Sequence, residues 1–485
     1  MKRILISTIA VSALLFNVSC DTDFDQDVND IVVTSGEANF SKYVALGNSL
    51  TSGYRDNALY IDGQNESYPN MLAMQMKMAG GGEFKQPMMP NNTGGFSDLP
   101  GFGGKYVLQV VNGALSPVPT APGAALDNVK AGGPYQNMGV PGAKSFHLGA
   151  AGYGNQAGLA AGKANPYYVR FASSGTSSVI QDAVAQAPTF FSLWIGNNDV
   201  LSYSTSGGVG VDQTGNLDPS TYGANDITDP NVFASVINSY VTALTANGAK
   251  GVMANIPNVT SIPYFTRVPA MPIAGLTDSQ VAQLNAGYAQ YNGGLGQAKT
   301  LGLINDAEYQ QRLIKFTAGV ANGAVIQDKD LTNLGALGIP SYRQTTSKDL
   351  ILLTASAVLN PTVGGGTSAP LEDKYVLTEK ETARVTTATT AYNAALKSIA
   401  TAKGLAFVDA NAKMIELSKG SGIQFDGVKY TATFVTGGTF SLDGVHLTGR
   451  GYALIANEFI KAINTTYKST LPMVNVNSYS GVKFP

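Results

Sequence analysis

The sequence predicts an α/β fold, a parallel sheet with helices packed on its faces, and two observations carry the prediction. Short apolar runs without strict alternation recur along the chain, and segments with apolar residues at helical spacing separate them. A strand covered on both faces reads as a continuous apolar run, which points to parallel pairing.

Tyr43-Val44-Ala45-Leu46-Gly47 is the first such run. Ser178 to Gln186 is helical, and Thr189 to Ile195 follows as a central strand. Another helix ends at Asn247-Gly248, with Gly251 to Ile256 as the next strand. Thr378-x-x-Glu381 forms a capping box that opens a helix with Val385, Ala388, Tyr392, Ala395 and Ile399 on one face. Gly404 closes that helix before the strand Leu405 to Val408. The last helix starts near Thr448 and carries Tyr452, Ile455, Phe459 and Ile463 at helical spacing.

One unit is expected over residues 39–470, followed by a C-terminal tail over 471–485. Three segments exceed what a compact α/β domain needs. Residues 91–133 are rich in Gly and Pro, with a strand-like piece from Tyr106 to Val111; 204–229 are polar and Gly-rich. Residues 266–366 are the longest, with a helical stretch from Thr277 to Asn292 and the run Gly364-Gly365-Gly366. No linker isolates them, so they are read as insertions around the rim of a site.

The formal net charge is −2, which provides no electrostatic footprint for nucleic acid. Only 13% of residues are charged, yet 44% are hydrophobic, too many for a disordered chain. Met1-Lys2-Arg3 and the apolar run Ile4 to Val18 have the form of an export signal over 1–19, too short to span a bilayer. That run ends at Cys20, the single cysteine of the chain. Asn17-Val18-Ser19-Cys20 resembles a bacterial lipobox, whose thiol receives diacylglycerol. Alternating acids from Asp21 to Asp27 make residues 20–38 a solvated tether. They are similar to the signals that direct Bacteroidota lipoproteins to the outer membrane surface, whereas Asp21 directly after the cysteine equally resembles the enterobacterial signal for inner-membrane retention, so the choice of membrane stays open. The expectation is a lipid-anchored envelope protein that meets the membrane through its N-terminal lipid alone.

Four separated blocks carry candidate chemistry. Gly47-Asn48-Ser49-Leu50-Thr51 follows the first strand, at the carboxyl end where open α/β sheets hold reactive groups. Asn137 to Ala143 contains Gly142, whose backbone N–H a ligand can approach unobstructed; a plain Pro-Gly turn explains it equally well. Gly196-Asn197-Asn198-Asp199 follows the central strand and offers an uncharged amide donor, or alternatively an Asx turn. In Asp443-Gly444-Val445-His446 a carboxylate three residues from an imidazole can fix its tautomer. The chain has only two histidines; His147, with no acid close by in sequence, reads as structural or substrate-facing.

The order Ser, Gly, Asn, Asp-x-x-His resembles the SGNH/GDSL hydrolases, over roughly residues 40 to 468. That resemblance implies a flavodoxin-like sheet of about five parallel strands. It implies a serine esterase with Ser49 as nucleophile, His446 as base and Asp443 as orienting acid. The Ser49 and Gly142 N–H groups and the Asn198 amide would form the oxyanion hole. Asn48 departs from the motif, where the family usually has Asp. The expected substrate is an ester of a lipid or an acylated carbohydrate. No cofactor is expected, and two histidines with one thiol argue against a zinc site. A catalytically silent glycan- or lipid-binding scaffold is the rival reading, and an all-helical substrate-capturing lipoprotein conflicts with the strands.

Overall fold

The computed structural model describes residues 32–111, 113–359 and 364–485. The expected export signal, Cys20 and most of the 20–38 tether lie outside the described residues. Numbering only the core elements, the strands are β1 (Tyr43–Gly47), β2 (Asn137–Gly139), β3 (Phe190–Trp194), β4 (Lys250–Ala254) and β5 (Ala406–Val408). They form one sheet, all parallel, in the order β5-β4-β3-β1-β2. This is the flavodoxin-like doubly wound order, and the expected α/β class holds. Every residue of β1 and β3 is buried, as helices on both faces require.

The helices of the core are α1 (Ser49–Ser52), α2 (Tyr68–Met78), α3 (Val179–Ala185), α4 (Asn198–Thr205), α5 (Pro230–Thr245), α6 (Glu379–Ala402), α7 (Ala410–Ser418) and α8 (Gly449–Tyr467). On one face α8 packs on α2 and on β4 and β5, with Tyr68 stacked on Phe459 at 4.7 Å. On the other, α5 packs against α3 and α6. The capping box of α6 is present, Thr378 accepting from the Glu381 N–H and the Glu381 carboxylate accepting in return. Its buried stripe is Val385, Ala388, Thr389, Tyr392, Leu396 and Ala400, so the face turns one residue beyond the expected Ala395 and Ile399. The expected stripe alternates steps of three and four, an average of 3.5 residues per turn, and so drifts against the 3.6-residue turn.

The three long segments contain structure of their own. Tyr106–Val111 pairs with Ala114–Pro119 in an antiparallel hairpin. In 266–366 the helices Asp278–Gly287, Ala289–Thr300 and Asp306–Arg312 accompany a hairpin of Val325–Gln327 with Tyr342–Gln344. Arg343 is buried there, its guanidinium 2.7 Å from both Asp349 oxygens and 2.6 Å from Asp328. A buried guanidinium needs such a full set of acceptors to offset its lost hydration. The packed body also reaches past the expected boundaries: Ala38, Leu471, Val474 and Val476 are buried. The Glu37 N–H donates to Tyr467 O, and Val474 exchanges two hydrogen bonds with the Asn457 amide on α8. Among the described residues no helix is long and apolar enough to cross a membrane.

Candidate active site

The strand order creates the site. The chain leaves β1 for one side of the sheet and leaves β3 for the other, so a crevice opens between their carboxyl ends. Gly47 is level with Trp194 in the β1–β3 register, which brings Ser49 and Asn198 to the same edge. The turn out of β1 is tight. A Cβ on Gly47 would lie 2.1 Å from the Thr51 hydroxyl and 2.3 Å from Trp194 O, so only glycine fits.

Asn48 caps α1, its Oδ1 accepting the Leu50 N–H at 3.0 Å, while its Nδ2 donates to Asn197 Oδ1 at 3.2 Å. An aspartate would supply the cap, but it could keep the second bond only if the Asn197 amide turned its N–H groups toward it. In this chain the uncommon Asn therefore ties the first block to the third. Ser49 starts the helix and is 7% exposed.

His446 Nε2 lies 2.9 Å from Ser49 Oγ, and its Nδ1 lies 2.8 Å from Asp443 Oδ2. Three side chains from opposite ends of the chain thus form one continuous hydrogen-bonded path. Asp443 Oδ1 also accepts the Val445 and His446 N–H groups, each at 2.8 Å, and the Ser441 hydroxyl at 3.2 Å. Oδ2 takes a further bond from the Asn57 N–H at 2.9 Å. Burial by itself would raise this carboxyl, but His446 and the backbone donors outweigh it and hold it well below the usual carboxylate range.

The Asn57 contact comes from a feature the motif reading missed. Arg55 and Ala58 exchange backbone hydrogen bonds around Asp56 and Asn57, which sit at φ of 52° and 63°. Two consecutive positive φ values define a type I′ turn, where Asp and Asn are among the favoured residues. The turn grips the 441–443 segment: the Asp56 N–H donates to Ser441 Oγ, and Asp56 Oδ1 accepts the Leu442 N–H, both at 2.9 Å. Asp-Asn was a legible turn signal, but its target was not. Tyr54 covers the His446 ring, centroids 4.7 Å apart.

Across the crevice, the Ala143 N–H donates to Val140 O around Pro141 and Gly142, whose φ is 80°. This is a type II turn, with Pro and Gly at the positions that demand them. The Asn198 amide donates to Ala143 O at 2.9 Å, and the Asn165 amide to Pro141 O at 2.8 Å, fixing the turn beside the site. Among the described residues, the Ser49 and Gly142 N–H groups and the second Asn198 amide hydrogen have no protein acceptor. Asp199, fully buried, accepts both the N–H and the hydroxyl of Ser145, at 2.8 and 2.6 Å. It locks the second block to the third.

His147 stands apart from this path. Its Nδ1 accepts the Lys144 N–H at 3.0 Å, and its ring stacks on Tyr153 at 4.7 Å. Burial, aided by the Lys144 charge, lowers it to about 4 from the usual 6.5. Between those pH values the unfolded chain binds a proton that the folded chain refuses, so stability falls as pH drops from 6.5 to 4. The ceiling on that loss is about 3 kcal/mol, less solvent screening at a half-buried ring. Urea unfolding at pH 7 and 4.5 should show a smaller acid loss in His147→Phe than in the parent; equal losses would refute this.

Ser49, Asn198 and His446 also line a cavity of about 960 Å3, counting its open mouth. Its remaining walls are mainly apolar. Among the described residues no group of three His, Cys, Asp or Glu side chains has an arrangement suited to a metal ion.

No family model matches the chain, and no curated protein matches it. One solved structure is similar in outline, LAE5, described as an alpha/beta hydrolase enzyme from the metagenome of Lake Arreo, Spain. It is 10% identical, with a TM-score of 0.33, over 88% of this chain and 97% of that one. So low a score carries no weight for fold or function.

Proposed function

We propose that the protein is a serine hydrolase of carboxylic esters, of the SGNH/GDSL type, anchored to the cell envelope by a lipid on Cys20. The observation that carries the hydrolase reading is the hydrogen-bonded path from Ser49 through His446 to Asp443. In this reading His446 Nε2 takes the Ser49 proton as Oγ attacks the ester carbonyl. Asp443 holds Nδ1 protonated and stabilises the imidazolium. The Ser49 and Gly142 N–H groups and the Asn198 amide receive the tetrahedral oxygen, each donor contributing about 3 kcal/mol. The C–O bond to the alcohol breaks and His446 returns its proton to the departing oxygen, leaving the acyl group on Ser49. Water then attacks with His446 as base, releasing the acid and restoring the hydroxyl.

A fluorophosphonate probe tests this directly. It should label the purified protein at Ser49, with label lost in Ser49→Ala and His446→Ala. A folded protein that takes no label at Ser49 would return the chain to the binding-scaffold reading.

A further inference from the structure

We infer that the apolar cavity is a slot for a straight aliphatic acyl chain, and that Lys413 and Glu458 set its length. The inference rests on the hydrolase reading and adds the substrate class.

Two helices form the slot's long walls. Met414 and Leu417 face it from α7, Leu454 and Ile455 from α8. On both helices the lining positions follow one pattern: 410, 413, 414 and 417, then 451, 454, 455 and 458. Those spacings put each set on a single helical face. Helix α8 begins three residues after His446, and its first lining residue, Gly451, shares the cavity wall with Ser49 and His446. From Gly451 to Glu458 that face extends about 10 Å at 1.5 Å per residue.

The lining residue of α8 farthest from His446 is charged. Lys413 Nζ lies 3.6 Å from Glu458 and 2.9 Å from Glu416. A chain that reached these groups would strip water from an ion pair without replacing it, which is unfavourable. With C–C bonds of about 1.5 Å meeting at about 111°, an extended chain advances roughly 1.25 Å per carbon, so the 10 Å face accommodates about eight carbons.

The occupant is the acyl half, not the alcohol. After the first step the acyl group remains bonded to Ser49, so it benefits from an apolar slot that opens beside the hydroxyl. An alcohol held there would have to leave past the acyl-enzyme and would obstruct the water that His446 activates. A sugar acetate would leave the slot empty and find few polar partners in it.

The test is a p-nitrophenyl ester series from acetate to palmitate on the purified mature protein. We expect kcat/KM to rise roughly fourfold per added methylene up to about eight carbons, then fall. Leu454→Trp, which fills the slot, should lower the octanoate-to-acetate ratio at least tenfold. Lys413→Met with Glu458→Leu should move the optimum to longer chains, with circular dichroism confirming that both variants fold. A series that peaks at acetate, or a ratio unmoved by Leu454→Trp, overturns the acyl slot while leaving the hydrolase reading in place. Absence of hydrolysis at every length, together with no fluorophosphonate label, overturns both.

Discussion

Ser49→Ala is expected to lower kcat for a p-nitrophenyl ester by roughly five orders of magnitude, with the thermal midpoint within about 2 °C of the parent. The two halves of this expectation have separate causes. Alanine removes the only atom that attacks, so the covalent route is lost and only weak assistance from the remaining donors survives. The fold loses little. Among the described residues the Ser49 hydroxyl bonds only His446, and α1 keeps its cap because that bond belongs to Asn48. One hydrogen bond contributes about 1 kcal/mol, and the His446 ring stays held by Asp443 and Tyr54. Parallel rate and melting measurements check this, and activity within tenfold of the parent would sink the nucleophile assignment.

Asp443→Asn should behave differently, losing stability as well as rate. The rate falls by about four orders of magnitude, the size of effect where an oriented imidazole loses its carboxylate and adopts the wrong tautomer. Stability falls because of how fully this carboxylate is used. Oδ1 accepts two backbone N–H groups and Oδ2 accepts one more besides the imidazole. Either orientation of an asparagine amide points N–H at a backbone donor and leaves that donor unpaired. The cost is about 1–3 kcal/mol per buried unsatisfied group. Urea unfolding should therefore separate the two variants, Ser49→Ala unfolding near the parent and Asp443→Asn at a clearly lower midpoint. A stable, inactive Asp443→Asn would mean that the type I′ turn at Asp56-Asn57 does not grip the carboxylate in solution.

What was legible in the sequence was whatever depends on near neighbours. Apolar runs and helical stripes specify strands and helices because their periods are local, and they sufficed for the α/β class. Asp443 and His446 are three residues apart, so their contact could be anticipated from spacing alone. Even the drifted stripe on α6 is a local error of one residue, from Ala395 and Ile399 to Leu396 and Ala400.

Contacts between distant segments depend on the strand order and on register, which no local pattern contains. The Asn57 N–H meets Asp443 across 386 positions, and Asn48 meets Asn197 across 149. The second pairing exists because the sheet places β1 beside β3, and the first because the turn after α1 meets the 441–443 segment that leads into the final helix. The slot between α7 and α8 is likewise invisible in either helix alone, since each stripe read by itself is ordinary core. By itself the sequence determined the elements and the candidate reacting groups. Only the tertiary structure decided how far apart those groups stand, which donors are left free beside them, and what shape of cavity they share, because distances across a fold are set by packing rather than by chain order.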